Sequence, residues 1–270
     1  MHKEAGRNLL MCFDFDSTSF NLLAEDILRP ELFELLQESV QIQRFVGLGL
    51  PDYAIEGENV HRHTLRLACR VCTLPLTDTE RSEYLLTLLI HDLPETKTLI
   101  DSGESADTTA TIKSTDAGLE LNVEYDEMVA AHKIFTSEEL GCYEEFDLAS
   151  RFLKSKETNL LPTDMALLCK ILDKVDADLF FHLAARQAAL QNHRDLGNLW
   201  GKAQELAFKQ YGEYSDRLRT LEDTNLATTA VICQSLLDTC MIVIIQIWSK
   251  VPKQKIPRVI QENITQIQKS

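Results

Sequence analysis

The sequence predicts an all-α fold, and three observations support this prediction. From about Pro30 onward the apolar residues recur at helical spacing, and no segment shows the alternation of a half-buried strand. With 10 Gly and 7 Pro in 270 residues, the chain is poor in the turn residues that separate β-strands. Hydrophobic residues make up 44% of the chain, as in a globular protein, and 270 residues can bury a full core, so we expect one large helical domain with extensions or one domain plus a small appendage.

Charge and cysteine content exclude several classes of protein. The net charge of -15 repels phosphate backbones, so we expect no binding to nucleic acid polymers. Seven cysteines, an odd number, are spread over helical segments without an apolar leader, which favours the cytoplasm. The apolar run Ala230–Trp248 contains Gln234, Asp238 and Gln246, which favours a buried helix over a membrane span.

The first informative helix has one inward stripe. Its members, spaced i, i+3, i+7 and i+11, are Val60, His63, Leu67 and Val71. His63 therefore points inward, whereas His61 lies about 200° away on the helical wheel. An inward histidine is more often a hydrogen-bonded core residue than a metal ligand, so other residues must decide its role.

The next helix, predicted over 78–92, is apolar on nearly all sides and must be central. It starts at the capping-box pattern Thr77–Glu80 and ends in His91-Asp92. The short link Leu74–Thr77 makes this helix and the preceding one an antiparallel hairpin. Its legs of roughly 15 and 20 Å return His91 to the level of His63, so that one ion can contact both.

Pro94 predicts where this central helix ends. A proline disfavours the helical conformation at the residue before it, so the helix should stop close to Asp92. Glu95 then follows just beyond the His-Asp pair. A carboxylate there is suited to proton transfer, and the alternative is an acid that favours a helix dipole. The neighbouring His-Asp pair favours proton transfer.

The remaining chain continues as helices around one loop. The segment Asp101–Gly118 is rich in Ser, Thr, Asp and Gly, and we interpret it as a mobile loop that can act as a lid. A second capping-box pattern, Thr136–Glu139, and a long helix over 163–192 follow. The tail after Lys250 is basic and proline-containing, and is predicted to be a loosely attached extension.

Asp173 is the lone charge in one apolar stripe of the long helix. The stripe consists of Ala166, Cys169, Asp173, Ala177, Phe180 and Ala184. A carboxylate buried there is costly unless it is paired, protonated or bound to metal. Pairing with Lys170 or Lys174 is the alternative to metal binding. Asp176 lies between this stripe and the second apolar stripe of the helix, and Asp178 lies on the polar side. We expect both to be solvated or to support the ligands from behind.

Three segments, in order, resemble the HD-domain metal phosphohydrolases. The pattern of that family is a helical His, then His-Asp at the end of a central helix, then a distant helical Asp. Glu58–Thr64 is similar to the Glu-Asn-Val-x-x-His-Ser segment of bacterial 5'-deoxynucleotidases, and His91–Glu95 to their His-Asp-x-x-Glu. Lys170–Val175 is similar to their Lys-x-x-Asp-x-Leu. The resemblance covers about 44–183, roughly half of the chain.

The resemblance implies one divalent ion, Mn, Co, Mg, Zn or Fe, held by His63, His91, Asp92 and Asp173. Asp92 and Glu95 are then the catalytic residues, with Glu95 handling the proton. Arg44 is similar to the phosphate-binding arginine of the family, although its offset differs. Asp101 takes the place of a sugar-contacting aspartate with a shift of one residue.

The implied fold is an HD-domain helical bundle with extra terminal segments. We divide the chain into an N-terminal extension (1–40), an HD phosphohydrolase core (41–192) and a C-terminal helical extension packing on that core (193–270). The implied activity is hydrolysis of phosphomonoesters, with nucleoside 5'-monophosphates, deoxy forms preferred, as substrates. The partner is a small phosphorylated molecule; a homodimer is compatible with this interpretation, and a membrane or a nucleic acid polymer is not expected.

Four alternatives stay open. The first is hydrolysis of another phosphorylated metabolite, such as a triphosphate or guanosine tetraphosphate. The second is a catalytically silent HD signalling module, which should lack metal ligands. The third is a di-iron HD oxygenase, which needs more histidines between Asp92 and Asp173 than His132 alone. Finally, Leu9–Thr18 resembles the DxDxT loop of haloacid-dehalogenase-type phosphatases, which requires a parallel sheet. Otherwise its two aspartates cap the first helix.

Overall fold

The computed structural model describes residues 17–42, 58–102, 117–154, 160–192, 201 and 203–267. None of these residues lies in a β-strand, so the predicted all-α fold is confirmed. In chain order the α-helices are α1 (Ser17–Ile27), α2 (Pro30–Glu38), α3 (Val60–Cys72), α4 (Asp78–Ile90), α5 (Leu93–Ser102), α6 (Ala117–Ile134), α7 (Ser137–Leu153), α8 (Asp164–Gln191), α9 (Gln210–Arg219), α10 (Ala227–Ser249) and α11 (Arg258–Ile267). Shorter turns of 3₁₀- and π-helix lie at Ser39–Gln41, Glu205–Lys209 and Lys253–Lys255.

Local hydrogen bonds start the helices where the sequence predicts. Both capping boxes form, because Thr77 and Thr136 exchange hydrogen bonds with the glutamates three residues later. At the start of α3, the Asn59 side chain accepts a hydrogen bond from the Arg62 N–H at 2.9 Å. These caps fix where α3, α4 and α7 begin.

The break between α4 and α5 presents the His-Asp pair. α4 ends at Ile90 and α5 begins at Leu93, with Pro94 in its first turn, as predicted. His91 and Asp92 lie in the short turn between the two helices. Because α4 packs on α3, α7 and α8, this turn lies in the interior of the fold.

α8 is the central helix of the domain. It starts after Thr163, whose side chain accepts from the Ala166 N–H at 3.3 Å, and ends at Asn192 in the left-handed conformation with φ 54°. Its sides pack against α3, α4, α7 and α10, and most of its residues are buried. Residues near the middle of α8 therefore face the interior of the bundle.

α10 passes a simple test for a membrane-spanning helix. Among the described residues it is the one helix long and apolar enough to cross a bilayer by length and composition. Half of its most apolar window is buried against the protein, and it packs along α8. Its interior contacts include a hydrogen bond of 2.8 Å from Trp248 Nε1 to His182 Nδ1. These contacts are those of a core helix.

The two ends of the described chain pack on this core. In α1 and α2, Phe20 and Leu36 are fully buried, and Arg29 Nε donates to Glu139 at 3.0 Å. The prediction that the tail after Lys250 is loosely attached is wrong. Ile260, on the apolar face of α11, is fully buried. Before this helix, Lys255 Nζ donates to the carbonyl of Leu190 at 3.0 Å.

Some predictions lie outside the described residues. α5 continues to Ser102 and α6 begins at Ala117, so most of the predicted lid falls between the described segments. Asp14 and Asp16 of the haloacid-dehalogenase-like segment also lie outside them. The division of the chain into three segments stays a prediction.

Candidate metal centre

Four side chains from three helices meet inside the bundle. His63 comes from the start of α3, His91 and Asp92 from the turn after α4, and Asp173 from the middle of α8. His63 Nε2 lies 3.2 Å from Asp173 Oδ1 and 3.9 Å from Asp92 Oδ2. His91 Nε2 lies 3.3 Å from Asp92 Oδ1. As the hairpin predicts, the two imidazole centroids are only 5.4 Å apart.

These separations fit the ligands of one ion. Atoms about 2.1 Å from an ion are about 3.0 Å apart when they bind at right angles and about 4.2 Å apart when they bind on opposite sides. The separations of 3.2, 3.3 and 3.9 Å fall within this range. The ligand atoms of His63, His91 and Asp92 all lie within 4.8 Å of one another, so this group of three could hold a metal ion. Asp173 is not in that group and adjoins it through His63 Nε2.

His91 has the tautomer that a metal ligand needs. Its Nδ1 lies 2.7 Å from the carbonyl oxygen of Leu88, which only accepts, so Nδ1 carries the proton. The lone pair of Nε2 then faces Asp92. This nitrogen is buried and has no hydrogen-bond partner among the described residues. A buried polar atom without a partner is costly, and a bound cation removes that cost.

His63 is held in the matching orientation. Its Nδ1 lies 2.9 Å from Asp176 Oδ2, so Nδ1–H donates to this carboxylate and Nε2 faces Asp173 and Asp92. Burial raises the pKa of Asp176, but Arg66 and Arg70 hold it well below its ordinary value. Asp176 is therefore an acceptor throughout the neutral range.

The two oxygens of Asp173 face different partners. Oδ1 faces His63, whereas Oδ2 accepts from Lys170 Nζ at 2.8 Å and lies 3.6 Å from Lys174 Nζ. Burial raises the pKa of Asp173, but the two lysines and His63 hold it well below its ordinary value. Asp173 can therefore pair with the lysines through Oδ2 and still take part in the predicted metal site through Oδ1.

Glu95 lies in the first turn of α5, one turn beyond Asp92, and is half-buried. Both carboxylates act electrostatically on the buried hydroxyl of Tyr143. Burial is the first cause that raises its pKa, and nearby carboxylates, among them Asp92 and Glu95, raise it further. The proton-handling role of Glu95 stays a prediction.

The two predicted substrate contacts are not joined to this group in the described part of the chain. Asp101 is exposed in the last turn of α5, where its Oδ1 accepts from Lys97 Nζ at 2.8 Å. Arg44 lies outside the described residues. Both roles stay predictions.

His132, the extra histidine that a di-iron site would use, lies elsewhere. It is exposed on α6, and its Nδ1 lies 3.0 Å from the carbonyl oxygen of Met128. Within the ranges that the structure describes, one cluster of at least three possible ligands occurs, and His132 is not in it. This arrangement favours a site for a single ion.

The structure corrects the expected surroundings of Asp176 and Asp178. Both are buried, with Asp176 at 0% and Asp178 at 5% exposure, so the solvated alternative is wrong. On α8, this region packs along α10. Burial raises the pKa of Cys240 on α10, and the negative charge of Asp178 raises it further. Asp176 supports His63 from behind, which was the other alternative.

Four charged residues around the site were missed or underestimated. They are Glu58, Arg66, Arg70 and Lys170, all buried. A signal for the two arginines exists in the sequence, because they follow His63 at i+3 and i+7 and therefore share its inward face. Arginines on an inward stripe require buried acids as partners, and Asp176 and Glu58 are those partners.

Asp178 supports a prediction about stability. Burial raises the pKa of this carboxyl to about 7, and Oδ1 has no hydrogen-bond partner among the described residues. The pKa of an aspartate in an unfolded chain is about 3.9, so the fold favours the neutral form of Asp178. The stability associated with this neutral form is fully present below about pH 4 and is lost as the pH rises through about 7.

We therefore expect Asp178→Asn to gain stability over the wild type as the pH rises. Between pH 5 and pH 8.5 the advantage in free energy of unfolding should grow by roughly 2–3 kcal/mol, measured by urea unfolding with a chelator present. Asp216→Asn is the matched control, since Asp216 is an exposed acid on α9 paired with Arg219. The same difference at both pH values would show that Asp178 is ionised in the fold.

The comparisons with known proteins add no relative. No family model matches the chain, and no curated protein and no solved structure matches it either.

Proposed function

We propose that this chain is a metal-dependent phosphohydrolase of the HD superfamily that releases phosphate from nucleoside 5'-monophosphates. The observation that carries the proposal is the convergence of His63, His91, Asp92 and Asp173, from helices in the order that the resemblance implies. Both imidazoles direct Nε2 into one space, as ligands of a single ion do.

The charge of the site supports an anionic substrate. Asp92 and Asp173 contribute two negative charges, and the nearby Lys170 and Lys174 compensate them. A divalent ion between neutral imidazoles then leaves an excess of two positive charges over these four side chains, and the carboxylate of Glu95 reduces that excess to one. The remaining positive charge attracts an anionic phosphoryl group into the site.

The proposed chemistry divides between the metal and the chain. When bound, the ion lowers the pKa of a coordinated water and neutralises charge on the phosphoryl group. Glu95 receives the proton of the attacking water and returns it to the leaving oxygen. Lys170 and Lys174 attract and orient the phosphate, Arg44 is proposed to bind the same phosphate, and Asp101 is proposed to contact the sugar.

A small substrate fits this chain better than a polymer does. With a net charge of -15, the chain is not expected to have the basic surface that binding of a nucleic acid backbone requires. A single phosphate can be bound by one metal ion and a few cationic side chains. The preference for deoxy forms, like a location in the cytoplasm, rests on the sequence alone.

A screen of phosphorylated metabolites with Mn²⁺ or Co²⁺ added tests this proposal. We expect phosphate release from nucleoside 5'-monophosphates, faster for deoxy forms, and no cleavage of DNA or RNA. If phosphate is released only from triphosphates, guanosine tetraphosphate or a non-nucleotide ester, the proposed nucleotidase activity is contradicted. The proposal of a metal-dependent phosphohydrolase would then still stand. If no phosphoester is cleaved with any metal, the chain is not a phosphohydrolase.

A further inference from the structure

A cluster of four buried charges lies directly behind His63. We call Glu58, Arg66, Arg70 and Asp176 the four-charge cluster. Arg66 donates to Glu58 at 2.6 and 2.8 Å and to Asp176 at 2.8–3.1 Å. Arg70 donates to Asp176 Oδ1 at 2.8 Å through Nη2. The four side chains are 5% exposed or less, and their formal charges cancel.

Stability alone is a weak reason for such a cluster. The desolvation of buried ion pairs often offsets their attraction, and apolar residues of similar size are frequently as stable. The cluster joins α3 to α8, the helices that supply His63 and Asp173. Its location beside two predicted ligands suggests a role in their orientation.

The two oxygens of Asp176 have separate tasks. Oδ1 accepts from Arg70 Nη2 and from Arg66 Nε, which fix the plane of the carboxylate. Oδ2 accepts from Arg66 Nη2 at 2.8 Å and from His63 Nδ1 at 2.9 Å. With the carboxylate held by two guanidinium groups, the imidazole ring of His63 has one favourable orientation, with Nε2 towards Asp173 and Asp92.

We propose that Asp176, clamped by Arg66 and Arg70, is a positioning residue that sets the affinity of the site for its divalent ion. Asp176 acts through His63 and does not contact the ion: it retains the proton on Nδ1 and aims Nε2 at the metal. The inference rests on the metal centre of the proposed function, and it adds that a residue outside the ligand set controls how tightly the ion is held.

The test compares two carboxylate-to-amide variants of the full chain. In Asp176→Asn the amide group can donate to Nδ1, so the ring is free to adopt the other tautomer. The matched control is Glu139→Gln, because Glu139 is also a buried carboxylate that accepts from an arginine, Arg29 at 3.0 Å, and it is not one of the predicted ligands. Each variant is stripped with a chelator and titrated with Co²⁺ or Zn²⁺ by calorimetry, and its urea unfolding is measured in parallel.

We expect Asp176→Asn to weaken metal binding by about 10- to 100-fold, and Glu139→Gln to change it by less than about threefold. Equal losses in both variants would mean that affinity follows general destabilisation, and unchanged affinity in Asp176→Asn would remove the positioning role. The metal titration contains no substrate, so its result does not depend on turnover. A protein that binds metal normally but hydrolyses nothing contradicts the proposed function and leaves this inference intact.

A measurement on the wild type keeps the inference testable if Asp176→Asn does not fold. In the Zn²⁺-loaded protein, which is diamagnetic, nitrogen-15 NMR should show His63 bound through Nε2 with an Nδ1–H protected from exchange. Coordination through Nδ1, or an Nδ1–H that exchanges freely with water, would overturn the inference. A wild-type chain that binds none of these metals would overturn both the inference and the proposed metal centre.

Discussion

Replacing His91 or Asp92 with alanine is expected to remove the bound metal. The wild type should contain about one divalent ion per chain, and each variant should bind it at least about 10²-fold more weakly, as expected when a direct ligand is lost. His91 contributes the buried Nε2 that has no partner among the described residues, and Asp92 lies 3.3 Å from it. Elemental analysis after gel filtration measures the metal content directly.

A matched histidine variant shows whether such a loss is specific. His132→Ala removes an exposed imidazole that lies outside the group of possible ligands, so the metal content of this variant should equal that of the wild type. Unchanged metal content in either His91→Ala or Asp92→Ala contradicts the ligand assignment.

Glu95→Ala is expected to keep the metal but to slow phosphate release by roughly 10²-fold or more. Glu95 lies one helical turn beyond Asp92 and is not one of the four predicted ligands. Its loss therefore removes proton transfer and leaves coordination intact, which lowers kcat more than it changes metal affinity. Phosphate release at saturating Mn²⁺ or Co²⁺, together with elemental analysis, separates the two effects.

Glu83→Ala is the control, because Glu83 is an exposed acid on α4. It should keep both metal and turnover. Loss of metal in Glu95→Ala would make Glu95 a ligand. Near-normal turnover in that variant would assign it the other role considered above, an acid that stabilises the start of α5.

Local sequence signals predicted most of the helical architecture. The two capping boxes, the break before Pro94 and the long helix that ends at Asn192 all occur where the sequence indicates them. These features depend on hydrogen bonds and backbone preferences within a few residues. Packing of the tail depends on distant contacts, such as that of Lys255 with the Leu190 carbonyl, and could not be read from local pattern.

The part of the site that could be predicted is the part where residue spacing along a helix determines which way a side chain points. The apolar stripe around His63 and the length of the hairpin indicated that His63 and His91 meet, and their centroids are 5.4 Å apart. The surroundings of α8 were not predictable in the same way. Whether Asp176 is solvated depends on which helices cover that face, and only the assembled fold shows Arg66 and Arg70 against it.

The most direct test of a metal-dependent phosphohydrolase is a titration of the stripped enzyme. The full chain is freed of metal with a chelator, and phosphate release from a deoxynucleoside 5'-monophosphate is followed while Co²⁺ or Mn²⁺ is added back. We predict no release before metal is added, and activity that rises with bound metal and saturates at about one ion per chain. Release that is equal with and without metal, or metal binding that never produces release of phosphate, would contradict the account.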